Sequence, residues 1–190
     1  MTVRVTLISP ATSAATVRAG FADDDDPLTR AGRQAAARAA DAVKGVGPAL
    51  VSPVPRCRET AAELGLDATP TSELSGQSFG RWRGRSLAAV GEEDPAGVAA
   101  WLGDPHYAPP GGESLAALHE RIEGWLRGLT AAAMGVTAVV EPEVVRSAVV
   151  AALELPMAAF WRLDVRPLAV TELSGRSGRW NLRTGRSLSD

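Results

Sequence analysis

A chain of 190 residues, 45% of them hydrophobic, is long and apolar enough to bury one full core, so a single domain over 1–190 is the expectation. The formal net charge of -2 excludes a general basic field for nucleic acid, and nearly all the positive charge is arginine, with Lys44 the only lysine. The single cysteine, Cys57, excludes an internal disulfide and a cysteine-based metal cluster and suits a reducing compartment.

The chain opens on a strand pattern at 3–8, where Val3, Val5 and Leu7 alternate before Ile8 turns both faces apolar. Ser9 and Pro10 break it into a polar loop, 9–13, at the carboxyl edge of the strand, where open α/β sheets bind ligands. No signal-peptide core precedes this strand, and the longest apolar run, 131–140, is too short to cross a bilayer. A soluble, cytoplasmic protein with neither a membrane nor a nucleic-acid partner is therefore expected.

The run Asp23, Asp24, Asp25, Asp26 reads as a solvated loop; it lacks the glycine and the later bidentate glutamate of a calcium loop, so no metal is expected. Thr29 then N-caps a helix whose Ala35, Ala36, Ala39, Ala40 and Val43 share a small apolar face. A short buried strand at 48–52 leads through Pro53 and Pro55 into a helix at 56–64, and a third strand is expected within 67–74. Short helices around Pro95 fill 86–101. His106 follows in a proline-rich loop and reads as a surface residue.

A long helix begins near Glu113, with Leu115, Leu118, Ile122, Trp125, Leu126 and Leu129 as its stripe and His119 packed at the margin. The apolar strand 135–140 suits the centre of a parallel sheet, and Pro142 suits the first position of the helix after it. The segments 168–173 and 179–183 make a hairpin, and 184–190 is expected to be a mobile tail. Strands alternating with helices predict a three-layer α/β/α sandwich around a largely parallel sheet.

Five segments, in order, resemble the histidine phosphatase superfamily, the phosphoglycerate mutase-like proteins: the opening strand, Leu28-Thr29-x-x-Gly32-x-Gln34-Ala35, Ser52-Pro53-Val54-Pro55-Arg56-Cys57-Arg58-Glu59-Thr60-Ala61, Phe79-Gly80-Arg81-Trp82-Arg83-Gly84, and Pro110-Gly111-Gly112-Glu113-Ser114. The segment 157–165 is similar as well. The resemblance implies that fold, with a cap insertion at about 76–112 that sets substrate choice. It also implies that Arg56 is the phosphate-binding arginine, at a helix N-terminus where an anion also meets free N–H groups.

Against the same pattern, the chemistry is replaced. The family's Arg-His at the end of the first strand is Ser9-Pro10 here, its second pocket histidine is Glu141, and its acid three residues before the Phe-Gly segment is Gly76. What remains of the phosphate site is Arg56, Arg58, Ser9, Thr12 and Glu141, although Arg58, two residues along the helix from Arg56, also fits a surface charge. Two adjacent arginines favour a lowered Cys57 pKa, but no Cys-x5-Arg loop follows, so a cysteine nucleophile is not expected.

Proline is no nucleophile, and loss of the nucleophile alone removes on the order of a millionfold in turnover. The sequence therefore reads as a catalytically inactive relative that serves as a binding or scaffolding protein, without cofactor, for an unidentified small molecule or protein and in an unassigned oligomeric state. The alternative is a phosphomonoester hydrolase with Glu141 as general base and Arg56 as phosphate clamp, which a carboxylate beside the phosphate opposes. On the first reading Arg56 and Glu141 face each other across neighbouring strand ends.

Overall fold

The computed structural model describes residues 2–23, 25–43, 46–129, 135–176 and 178–187, with side chains described as far as Arg183. Strand β1 (Val3–Ile8) is followed by the short helix α1 (Ala14–Arg18), then α2 (Arg30–Ala39), β2 (Ala49–Val51), α3 (Pro55–Glu63) and β3 (Ala68–Pro70). Helices α4 (Leu87–Glu93), α5 (Pro95–Gly103) and α6 (Leu115–Gly128) precede β4 (Val136–Val139) and α7 (Pro142–Ala152). Strands β5 (Ala169–Arg176) and β6 (Arg179–Ser187) close the chain as a hairpin.

These strands form one sheet in the order β3-β2-β4-β1-β5-β6, in which β1 to β4 run parallel, β5 pairs antiparallel with β1, and β6 pairs antiparallel with β5. The period-2 pattern of β1 explains the layering. Val3, Val5 and Leu7 enter the core under α6 and α7, with Leu118, Ile122, Val145 and Ala148, while Ile8 turns to the opposite face with Ala36, Ala39 and Cys57 of α2 and α3. The mostly parallel α/β sandwich expected from the sequence is present.

Two local readings are corrected and two are completed. The polar loop 9–13 is present and leads into a short helix not expected from the sequence, α1, started by a capping box in which Ser13 and Thr16 bond each other's backbone N–H groups. The aspartate-rich loop is not simply solvated: Asp26 is buried and takes both Arg18 Nη2 bonds, at 3.1 Å, and the Asp23 N–H at 2.9 Å. The third strand expected within 67–74 is present as β3, and after it a 3₁₀ turn, Ser72–Leu74, carries the buried Leu74. The segment 184–187 continues β6, where Ser187 and Arg186 pair with Ala169 and Val170, so the expected tail is ladder-bonded at least that far; 188–190 lie outside the described residues.

Candidate functional site

The carboxyl edge of the parallel strands, where β1, β2 and β4 all end, brings together the loop after β1 and the first turns of α3 and α7. Thr60 on α3 fixes that loop: its hydroxyl accepts the Ala11 N–H at 3.0 Å and donates to the Arg56 carbonyl at 2.7 Å. Pro10 is thereby held beside the start of α3. Both helices begin with proline at the first position, and neither has a side-chain cap.

Glu141 occupies the N-cap position of α7, yet its carboxylate crosses to α3 instead of capping its own helix. Oε2 accepts from Arg56 Nε at 2.9 Å and lies 2.8 Å from Nη2, while Oε1 accepts from the Cys57 thiol at 2.8 Å. Arg56 is 6% exposed and Glu141 3%, so the pair is largely withdrawn from solvent. Arg56 Nη1 donates to the Asp23 carbonyl at 3.0 Å, which ties the aspartate loop over the pair. Burial opposes the Arg56 charge, but the Glu141 carboxylate outweighs it, so the guanidinium is held more firmly protonated than usual.

The Arg56–Glu141 pair expected from the sequence is present. The Cys57 expectation is reversed. Burial first and Glu141 second raise its pKa well above the ordinary thiol value, against the smaller pull of Arg56, and leave a protonated thiol that donates to the carboxylate.

Glu143, one turn-position inside α7, was not singled out by the sequence. Its Oε1 accepts the Gln77 N–H at 3.3 Å, and its carboxyl is pushed up to about 7, chiefly by burial and then by the neighbouring Glu141 charge. Gly76 explains how it fits. A Cβ there would lie 2.6 Å from Glu143 Oε1 and 2.9 Å from Glu141 Cγ, so glycine leaves room for both acidic side chains. Arg121 holds this glycine loop in place by donating to the Ser75 carbonyl at 2.9 Å while gripping Glu113, whose own carbonyl accepts from Gln77 Nε2 at 2.9 Å.

Above this charged floor lies a cavity of about 320 Å³, lined among others by Pro10, Ala15, Arg56, Glu141 and Glu143. Its roof is aromatic: Phe21, Phe79 and Trp101 line it and belong to a cluster with Trp82, Tyr107 and Trp161. A second cavity of about 380 Å³, which shares Arg56 and Phe79, opens along Gly76, Ser78 and Arg83.

Among the sequence-predicted positions, Pro10, Arg56 and Glu141 line the first cavity and Gly76 backs it. Ser9, Thr12 and Arg58 line neither, which corrects their place among the phosphate-site remnants. Ser9 is wholly buried against β5, donating to the Arg166 carbonyl at 2.5 Å and accepting the Ala169 N–H at 3.0 Å. Thr12 offers its carbonyl to the N-cap Thr29, and α2 packs so close that Gly32 has no room for a Cβ beside it. Arg58 is exposed, as the 100° step per residue from Arg56 requires.

Neither histidine reaches the site. His106 is exposed, and His119 Nδ1 lies 3.3 Å from Ser147 Oγ between α6 and α7, its pKa lowered by burial against the opposing Glu123 charge. No grouping of three or more metal-ligating side chains occurs, and no helix is long and apolar enough to cross a membrane, among the described residues.

A layered sheet with a site at the carboxyl ends of β1, β2 and β4, roofed by an aromatic cap, defines an α/β protein of the phosphoglycerate mutase-like class. The model of the histidine phosphatase superfamily (branch 1) matches residues 14–186, and the chain belongs to that superfamily. The α-ribazole phosphatase of Shigella flexneri aligns over 98% of this chain and 97% of its own, with a TM-score of 0.86 and 22% identity. A mycobacterial glucosyl-3-phosphoglycerate phosphatase, solved with VO3, aligns over 95% of this chain and 97% of its own, with a TM-score of 0.82 and 26% identity. In sequence, the bifunctional protein Rv2228c of Mycobacterium tuberculosis is 36% identical over 75 residues, 37% of this chain and 21% of that protein. The chain thus spans about a fifth of the curated relatives it matches.

Proposed function

We propose that this chain is a non-catalytic member of the superfamily, a single domain that keeps the cavity under the 76–112 cap for a small molecule or the fold as a surface for a protein partner. The observation that carries this reading is the Arg56–Glu141–Cys57 group: the guanidinium that would clamp a phosphate already holds a buried carboxylate. Pro10 at the nucleophile position and the distance of both histidines from the cavity support it, since phosphohistidine chemistry needs an imidazole there. A reducing, cytoplasmic setting belongs to the same reading, as the one thiol is buried and hydrogen-bonded.

A second reading, a phosphomonoester hydrolase with unusual residues, has one observation in its favour. Glu141 has both oxygens engaged, but Glu143 presents a carboxyl that titrates near neutrality at the cavity floor, as a general acid or base requires. Turnover separates the two readings. The purified protein should hydrolyse neither a generic aryl phosphate nor a panel of phosphometabolites between pH 5 and 9, and calorimetry should detect no micromolar binding of phosphate or vanadate. Glu141→Gln, which frees Arg56 in part, should lose stability and gain at least tenfold in phosphate affinity. Acid-labile phosphate on the wild-type protein, or micromolar phosphate binding by it, would overturn the non-catalytic reading.

A further inference from the structure

Closing the anion site leaves the cavity with a charge imbalance. Arg56, Glu141 and Glu143 are its charged lining residues; the first two neutralise one another, and the Cys57 thiol beside them stays protonated. Glu143 remains, with hydrogen bonds from backbone N–H groups and no ion pair of its own among the described residues. One guanidinium against two carboxylates makes the floor an acidic one once Glu143 ionises.

The roof suits the same sign of ligand. Phe21, Phe79 and Trp101 are mutual neighbours, with ring centroids 5.0 Å (Phe21 to Phe79), 5.4 Å (Phe21 to Trp101) and 6.2 Å (Phe79 to Trp101) apart, and all three line the cavity. Aromatic rings attract a cation through their quadrupole and an apolar body by contact. An anion would meet two carboxylates, and a neutral apolar guest would strip water from Glu143 with nothing in return. The volume of about 320 Å³ falls at the small end of ligand pockets, roughly 300–1,000 Å³.

We propose that the cavity binds a small organic cation, an ammonium group on an apolar body, with Glu143 as its counter-charge and the Phe21, Phe79 and Trp101 rings around it. The inference rests on the reading that Glu141 closes the phosphate position. The groups that face Glu143 set its pH dependence: Glu141 at the start of α7, Arg56 and Cys57 from α3, and the Gln77 N–H from the glycine loop. Burial of the site first and Glu141 second push the Glu143 carboxyl up to about 7, so cation affinity rises from pH 5.5 to 8.5.

The test is a charge series on the full chain: benzyltrimethylammonium, benzyl alcohol and benzylphosphonate, titrated at pH 5.5 and 8.5 by NMR on the indole signals. The expected result at pH 8.5 is cation binding at least tenfold tighter than the alcohol and none for the phosphonate, with the cation affinity at least fivefold weaker at pH 5.5. Glu143→Gln should abolish both the preference and its pH dependence, and the wild-type series decides alone if that variant does not fold. Equal binding of cation and alcohol, no binding of the cation, or a preference that survives Glu143→Gln would overturn the proposal while leaving the closed phosphate site intact. Tightest binding of the phosphonate would overturn both.

Discussion

Helices α3 and α7 start alike and carry opposite charges. Each follows a parallel strand, opens on proline and lacks a side-chain cap. At α7 the charged groups are Glu141 and Glu143, anions at the positive pole of the helix dipole; at α3 the buried charge is Arg56, a cation at the pole that disfavours it. One carboxylate reconciles the two ends. Glu141 gives up capping α7 to neutralise Arg56 across the edge of the sheet, so the stability of the α3 start depends on a residue 85 positions away.

The comparison breaks most sharply at Glu141. Glu141→Ala leaves the Arg56 charge buried and unpaired and should lose about 3–5 kcal/mol in denaturant unfolding, whereas the double variant Arg56→Met, Glu141→Leu should stay within about 1–2 kcal/mol of wild type. A single variant as stable as the double one would show that water or another group solvates Arg56.

Glu143 sharpens the comparison through pH. A carboxyl raised from 4.5 in the unfolded chain to about 7 in the folded one binds more protons when folded, so it adds stability below pH 4.5 that is lost as pH rises through 7. Glu143→Gln removes that slope. Relative to wild type it should therefore gain on the order of 2 kcal/mol more at pH 8 than at pH 4, less than the full shift implies because solvent reaches part of the residue. A pH-independent difference between the two proteins would show that the carboxyl titrates normally. The smallest effect belongs to Arg58, the exposed neighbour on α3: Arg58→Ala should change unfolding stability by no more than about 0.5 kcal/mol and leave ligand binding untouched.

The architecture was legible because it rests on strong local signals, and the Arg56–Glu141 pair because the family resemblance puts both residues at the phosphate position. The local signals were the alternation in β1, the Pro-x-Pro entry to α3, Pro142 at the start of α7, and segment order. What was not legible depends on distance in sequence. Ser9 reads as a pocket residue from its place after a strand, but its side chain is claimed by Arg166 and Ala169 at the entry to β5, 157 to 160 residues downstream. Asp26 reads as solvated in a run of acids, and only the fold supplies Arg18 beside it. Glu143 gave one faint signal, an acid in the first turn of a helix. Its relation to Gly76 is a matter of space, since the glycine that marks a missing side chain also makes room for the one that replaces it.

The place of β1 in the sheet has a consequence for how the chain assembles. Its two neighbours are β4 and β5, with Val5 registered against Val136 on one side and Leu173 on the other. Strand β1 therefore stays without either partner until synthesis has reached β4 at Val136–Val139, and loop closure over such separations slows the search for native pairing. In pulse-labelled refolding, the Val3–Ile8 amides should gain protection no earlier than those of β4 and β5. Until then a run of Val3, Val5, Leu7 and Ile8 remains available for mispairing between molecules, which places the main aggregation hazard of this protein in its youth rather than in its folded state.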